Sequence, residues 1–336
     1  MNLDKPSQLK IIRICGVVFL LSLILLRVNH QPYPITLPKF LVEIFLVLKS
    51  KINFGLAKIL PEPQLSIMKS LFFGGKDNLS YDFKKQIRRV GLSHLVAVSG
   101  LHLTIVSQII SRVLDIFLIT GSFNFFLNIL FIIGFIIMAD FSSSVIRAGI
   151  MATILLISKL CHRLYNSSYA LILAILIMLI MNPRIITNDF GFQLSVLATA
   201  GIIYLYPRFR KPQTNIFQET FFLSLSALIM VTPWVVYKTQ LLSLVAPLSN
   251  LMVVPLIPMI MILGFIVAIL SFIFIPLAFI FGFCLHLLLL YIIKVIEILS
   301  HWHLAEIFLP HINIIFIIAY YLILFYYLCQ KRFRSQ

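Results

Sequence analysis

Long apolar blocks separated by short polar gaps dominate this chain. Residues 124–138, 171–181 and 312–328 contain no charged side chain, which is what a bilayer core demands of a helix. The blocks predict membrane spans at about 11–28, 92–118, 123–139, 144–161, 168–181, 190–206, 217–237, 243–270, 272–297 and 312–330, about ten in all. Between the first two, residues 29–90 are polar and mixed. Within them, 40–60 keeps helical apolar spacing but is broken by Glu43, Lys49, Lys51 and Lys58. That pattern predicts an amphipathic helix, or a helical pair, lying on the membrane rather than crossing it. Pro61 and Pro63 end the segment, and Gly74-Gly75 marks a turn. Pro233, Pro247, Pro255, Pro258 and Pro276 interrupt three consecutive later spans. A proline frees a backbone carbonyl, which at depth is tolerable only inside protein or beside water. Broken helices of this kind recur in transporters, and simple kinks are common. The expected fold is all-α: a polytopic helical membrane protein with proline-broken spans. It divides into an N-terminal transmembrane helix (1–28), a basic amphipathic interfacial segment (29–90) and a transmembrane domain (91–336).

Composition removes the soluble alternative. Of 336 residues, 61% are hydrophobic and 11% charged, against roughly 45–50% and 25% in an ordinary soluble domain. Charge adds a second feature, because 27 Lys and Arg against 11 Asp and Glu leave a net +16. With the N-terminus inside, Lys159/Arg163, Arg208/Arg210/Lys211 and the tail 331–334 also fall inside. The loops at 140–144, 182–189 and 298–311, poor in Lys and Arg, fall outside, as the positive-inside rule requires of short loops. Residues 49–89 fall outside by the same topology, yet hold nine Lys and Arg against three acids. A basic surface helix gripping anionic headgroups and an outward-facing trap for a polyanion both account for them. Cys15, Cys161, Cys284 and Cys329 form no CxxC pair, so neither metal nor disulfide chemistry is indicated. The N-terminus has the outline of a signal peptide, but Arg27-Val28-Asn29-His30 offers no cleavage site, so the first span is read as uncleaved.

Four polar constellations stand out. In GLSHLVAVSGLHLTIVSQIISRVLD, beginning at Gly91, the residues Ser93, Ala97, Gly100, Thr104, Ser107 and Ser111 form one small stripe. Tight helix packing is its first reading, and the lining of a water-filled path is the alternative. Ser99 and His102 on the same helix suggest a nucleophile and base, although no third orienting acid is evident. In the second cluster, Ser142, Ser143 and Ser144 mark a helix start and Ser144, Ala148 and Ala152 a close-packing edge. Arg147 either pairs with Asp140, the first expectation, or snorkels, or offers a cation to a passing phosphate. In the third, Asp189 suits a helix N-terminus, and Gly191, Ser195 and Thr199 continue the close-packing pattern. Gln193 must bond a neighbouring helix or water. The fourth, Pro247-Leu248-Ser249-Asn250, sits at a predicted break. His301 and His303, two residues apart, face different sides of a helix and have no further ligands in view.

The sixteen residues GLSHLVAVSGLHLTIV (91–106) resemble the signature helix of the ComEC-type competence DNA channel family. SVIRAGIM (144–151), Asn182-Pro183, FQLS (192–195) and PLSNL (247–251) follow in that family's order, and the match spans roughly residues 55–310. The resemblance implies an inner-membrane channel that imports single-stranded DNA during natural transformation, a transporter rather than an enzyme, with no cofactor. The family residues carried over are Ser99, Gly100, His102, Arg147, Gln193, Ser195 and Asn250 along the DNA path. From charge, Lys49, Lys51, Lys58, Lys84, Lys85, Arg88 and Arg89 are the candidates for attracting phosphate. This is expected to be a short form, without the OB-like and metallo-β-lactamase-like domains of longer members. The expected partners are single-stranded DNA, membrane lipid, a separate receptor outside and a cytoplasmic motor ATPase, since no nucleotide motif is present. The expected location is the bacterial cytoplasmic membrane, with both termini inside. Two rivals remain at this stage: a secondary transporter of a small anion, and an intramembrane hydrolase using Ser99 and His102.

Overall fold

The computed structural model describes residues 39–75, 79–96, 103, 107, 110–112, 121–209, 215–303, 305–310 and 312–334. The predicted first span and the candidates Ser99, Gly100 and His102 lie outside the described residues. Helices α1 (Lys39–Ala57) and α2 (Gln64–Phe73) flank the turn at Pro61 and Pro63. The short helix α3 (Tyr81–Arg89) has its own local logic. The Ser80 hydroxyl accepts from the Phe83 amide, Asp82 lies in the first turn, and Arg88 and Arg89 lie in the last, so both ends of the helix dipole are matched. One short turn, α4 (Ser93–Val96), follows.

The apolar helices follow: α5 (Gly121–Met138), α6 (Ser143–Leu160), α7 (Ser167–Met181), the turn α8 (Ile185–Asn188), α9 (Phe190–Tyr204), the turn α10 (Tyr206–Phe209) and α11 (Ile216–Thr239). After β1 (Leu241–Ser243) comes α12 (Ala246–Val253), then a 3-10 turn at Val254–Leu256, α13 (Ile257–Ile273) and α14 (Ile275–Ser300). Strand β2 (Glu306–Phe308) and α15 (Ile314–Arg334) complete the order. Among the described residues, five helices are long and apolar enough to cross a membrane, and three shorter apolar ones accompany them. The ends predicted at 144–161, 168–181 and 190–206 fall within two residues of α6, α7 and α9. The break predicted in 243–270 is the 3-10 turn containing Pro255. Pro247 and Pro276 do not break helices: each lies in the first turn of one, where the missing N–H has no partner to lose.

The two strands were not anticipated. They form a small antiparallel ribbon with Leu241 opposite Phe308 and Ser243 opposite Glu306. The ribbon ties the end of α11 to the end of α14.

Helix α1, on the segment expected to lie on the membrane, and α2 after it both pack against other helices. Helix α1 runs along α13 and α5, and Ile59, just beyond it, fills the notch over Gly282 of α14. Helix α2 is buried on nearly every side, with Met68 and Phe72 against Gly264 of α13. These two helices therefore belong to the core cluster with α13 and α14.

Helix contacts close on themselves, running α1–α5–α6–α9–α11–α12–α14–α13 and back to α1, with α7 against α6 and α9. Ser107 and Ser111, from the stripe that begins at Ser93, both donate to Asn128 Oδ1 of α5 at 3.3 Å. At least this end of the stripe makes the interhelical hydrogen bonds of a packed seam.

Pro233 lies inside α11 and leaves the Ile229 carbonyl, four residues earlier, without its helical donor. Helix α15 supplies the replacement. The Tyr320 hydroxyl donates to Ile229 O at 3.0 Å, and that of Tyr321 to Met230 O at 2.7 Å. Removing either hydroxyl (Tyr320→Phe or Tyr321→Phe) is expected to cost about 0.5–1.5 kcal/mol, read as a lowered melting temperature in detergent. In a Pro233→Ala background, which restores the amide, the cost of Tyr320→Phe should shrink. An equal cost in both backgrounds would remove the proline from this account.

Candidate functional site

The polar residues singled out on α6 and α9 meet at one end of the bundle, and local chemistry brings them there. Asp189 caps α9, its Oδ1 accepting from the Phe192 amide at 2.8 Å, and its Oδ2 accepts from the Ser143 hydroxyl at the start of α6. One carboxylate thus pins two helix N-termini together, where a negative charge is favourable. Ser143 therefore spends its hydroxyl on Asp189 rather than on its own helix. Ser142, the N-cap, makes no side-chain cap bond.

One turn into α6, Arg147 is buried, with 6% of its surface exposed. Its Nε donates to Ser195 Oγ of α9 at 2.9 Å, and Nη1 approaches Met151 Sδ at 3.4 Å. The expected pairing with Asp140 is overturned. Asp140 and Phe141 take left-handed conformations, φ 51° and 53°, and the reversed chain sends the Asp140 carboxylate to Lys49 of α1 at 3.0 Å. Among the described residues no carboxylate pairs with Arg147. A buried cation held by a neutral hydroxyl and a thioether keeps most of its charge available to an anion.

Gln193 meets its requirement for partners. Its Nε2 donates to Ile186 O at 2.5 Å, and its Oε1 accepts from the indole N–H of Trp234, on α11, at 2.8 Å. Trp234 was not anticipated from the sequence; an amide in a span announces that it needs a partner, not which one. Beside this network a cleft of about 770 Å³ opens, lined among others by Ser143, Ile146, Asn182, Asn188 and Asp189.

Gly191 does not continue the close-packing pattern, because it is exposed. The close approach occurs at Gly201, where an added Cβ would stand 2.4 Å from the Ser226 carbonyl of α11.

Asn250 is not part of this group. It sits on α12 against α11 and α14, with its amide oxygen buried and lacking a hydrogen-bond partner among the described residues. Its motif has another role. Ser249 Oγ donates to Val90 O at 2.6 Å and Ser243 Oγ to Arg89 O at 2.7 Å. Gly91, at φ +75°, lies so close that a Cβ would stand 2.5 Å from Ala246 Cβ. The residues leading into the 91–106 segment are thus anchored on α12 and the ribbon, a link of more than 150 positions that no local pattern carries.

The seven basic candidates do not form one patch. Arg88 and Arg89 face Glu306 of the ribbon at 4.0 and 3.7 Å, and Lys49 is held by Asp140. Lys58, over the Phe54 ring at 4.5 Å, lies beside the α13–α14 turn, since Gly55 touches Ser271 and Ile59 touches Gly282. That is the end opposite the ribbon and α3. Lys51 and Lys85 are exposed and Lys84 is half-buried.

Basic loops gather at the end away from the ribbon. Arg208, after α9, donates to the Leu328 carbonyl near the end of α15, and Tyr206 donates to Glu219 at the start of α11 at 2.9 Å. His301 Nδ1 lies 2.6 Å from the Glu297 carbonyl, so its ring closes the end of α14.

Comparison with known proteins adds a family. The sequence profile described as "Competence protein" matches residues 71–334. ComE operon protein 3 of Bacillus subtilis (strain 168) is 26% identical over 197 residues, 59% of this chain and 25% of that protein. A protein of Aquifex aeolicus (strain VF5), described only as uncharacterized, is 30% identical over 190 residues, 56% of this chain and 43% of its own length. The aligned region thus spans less than half of either relative. No solved structure matches.

Proposed function

The chain belongs to the competence protein family, and from that premise we propose that it is the membrane channel through which single-stranded DNA reaches the cytoplasm during natural transformation. The observation that carries the reading is Arg147: a cation buried in the α6–α9 wall, bonded to Ser195 and paired with no carboxylate among the described residues. Intramembrane charges without counter-ions are costly, and a phosphodiester passing along the wall supplies the missing anion. Ser195 orients the guanidinium, and Gln193 holds the adjoining turn to α8 and α11. Lys84 and Lys85 on α3 raise the local concentration of DNA at the ribbon end, which in this reading faces outward. This attraction weakens as salt rises. The basic loops at the other end face the cytoplasm. The driving force comes from a separate cytoplasmic motor, and a separate receptor delivers the strand. Ser99, Gly100, His102 and Asn250 are assigned to the path by family resemblance, and the channel performs no covalent chemistry on its cargo.

Deleting the gene tests the reading. Transformants should fall to the background of spontaneous mutants, with labelled DNA held outside the cytoplasmic membrane. Normal DNA uptake in the deletion strain would rule the channel out. Flux of a small anion into liposomes bearing the purified chain, with uptake of DNA unaffected by deletion, points to the transporter instead.

A further inference from the structure

The last turn of α11 carries three residues on one face that the DNA path described so far does not use. Trp234 and Tyr237 have ring centroids 5.6 Å apart and are tilted by 33°. Lys238 Nζ stands 5.7 Å from each ring centroid. Their i, i+3, i+4 spacing is what places them together. Both rings are half-buried and Lys238 is exposed; among the described residues no acid forms an ion pair with Lys238.

Trp, Tyr and Lys at a helix end also describe a lipid-interface belt, in which the indole N–H reaches toward headgroups. Here that N–H is spent inside the protein, on Gln193 Oε1. Gln193 is in turn fixed to Ile186 O, and two residues along α9 stands Ser195, the partner of Arg147. The indole is therefore held at the α9–α11 seam, whereas Ser195 and Arg147 meet on the side of α9 that faces α6. An aromatic face beside a cation is the combination that receives single-stranded nucleic acid. The base stacks on the ring whatever its identity, and the cation meets the phosphate.

We propose that Trp234, Tyr237 and Lys238 form a stacking platform for an unpaired nucleobase and its phosphate at the ribbon end of the bundle, a site that rests on the single-stranded DNA reading and deepens it. The platform sets what the channel accepts: bases that are unstacked and single-stranded, in any sequence.

The chain has two tryptophans, so in a Trp302→Phe variant of the full chain Trp234 is the sole indole fluorophore. In nanodiscs of neutral phosphatidylcholine, oligo(dT) should quench that fluorescence, and an abasic strand with the same number of phosphates should not. Trp234→Ala should weaken oligo(dT) binding about tenfold more than it weakens abasic binding. Oligo(dT) that binds, by anisotropy of a terminal label, without changing Trp234 fluorescence overturns the platform and leaves the channel standing. Strong quenching of Trp234 by brominated acyl chains, with none by oligo(dT), overturns it in favour of a lipid anchor. Failure of both strands to bind overturns the platform and the single-stranded DNA reading together.

Discussion

With Arg147 replaced by methionine, transformation should fall by roughly two orders of magnitude while the protein melts no lower than the native chain. The two halves of that expectation come from the same geometry. A guanidinium on a phosphate makes two charge-assisted hydrogen bonds of about 1.5–3 kcal/mol each, so their loss amounts to 100-fold or more, on the order of what uptake should show. In the empty protein the same guanidinium is a liability. It is buried, with Ser195 Oγ and Met151 Sδ against it and no carboxylate paired with it among the described residues, and an apolar chain of similar length relieves an uncompensated charge. A structural arginine behaves in the opposite way, its removal lowering both stability and activity. Arg147→Lys keeps the charge but loses the planar fork and should fall between native and methionine. Uptake at the native level in the methionine variant, with equal protein in the membrane, removes Arg147 from the path.

Gly201→Ala is expected to be the most destabilising of single-methyl changes on α9. Its Cβ would stand 2.4 Å from the Ser226 carbonyl oxygen and 3.0 Å from the Ser226 carbonyl carbon. Both are backbone atoms of α11, which have no rotamer to change. The helices must separate instead, at a cost of about 3 kcal/mol, the upper part of the usual range for overpacking. Separation also lengthens the bond from Trp234 to Gln193, so uptake should fall with stability. Gly191→Ala on the same helix is the control. There the nearest atom is the Asp189 Oδ1 side chain at 3.2 Å, the position is exposed, and a change within about 0.5 kcal/mol is expected. Thermal melts of the two variants in one detergent check the contrast; equal melting temperatures would show that α9 and α11 are not in close contact at Gly201.

Glycines 191 and 201 also show where legibility ends. Both lie on one apolar helix, and Gly191 begins a neat run with Ser195 and Thr199, yet only Gly201 meets another backbone. In a membrane helix the lipid-facing and protein-facing sides are both apolar, so hydropathy marks the span without marking its azimuth. Asp189, by contrast, was readable as a helix N-terminus, because capping acts within a single turn. Its second bond, to Ser143, joins α9 to α6 and was not. The same division separates the two outcomes at Arg147. Its place near a helix start followed from sequence, but its burial and its partner did not. The nearest acid, Asp140, lies across a turn with two left-handed residues that point it at Lys49.

The basic segment behaves likewise. Its charge is a property of composition, but Arg88, Arg89 and Lys49 meet acids, and Lys58 is carried to the opposite end because α1 runs along α13.

By itself, then, the sequence determined the membrane class, the extents of α6, α7 and α9, the broken helix at Pro255 and the polar residues that needed partners. Those features follow from the transfer of each residue into lipid and from interactions inside one helical turn. Tertiary structure alone decided that α1 and α2 pack into the bundle, that Tyr320 and Tyr321 complete the helix Pro233 interrupts, and that Arg147 bonds Ser195 and meets no acid among the described residues, while Trp234 is held by Gln193. Each of these depends on which faces of distant helices meet. In a chain this uniformly apolar, packing and hydrogen bonding choose those faces, and hydrophobicity does not.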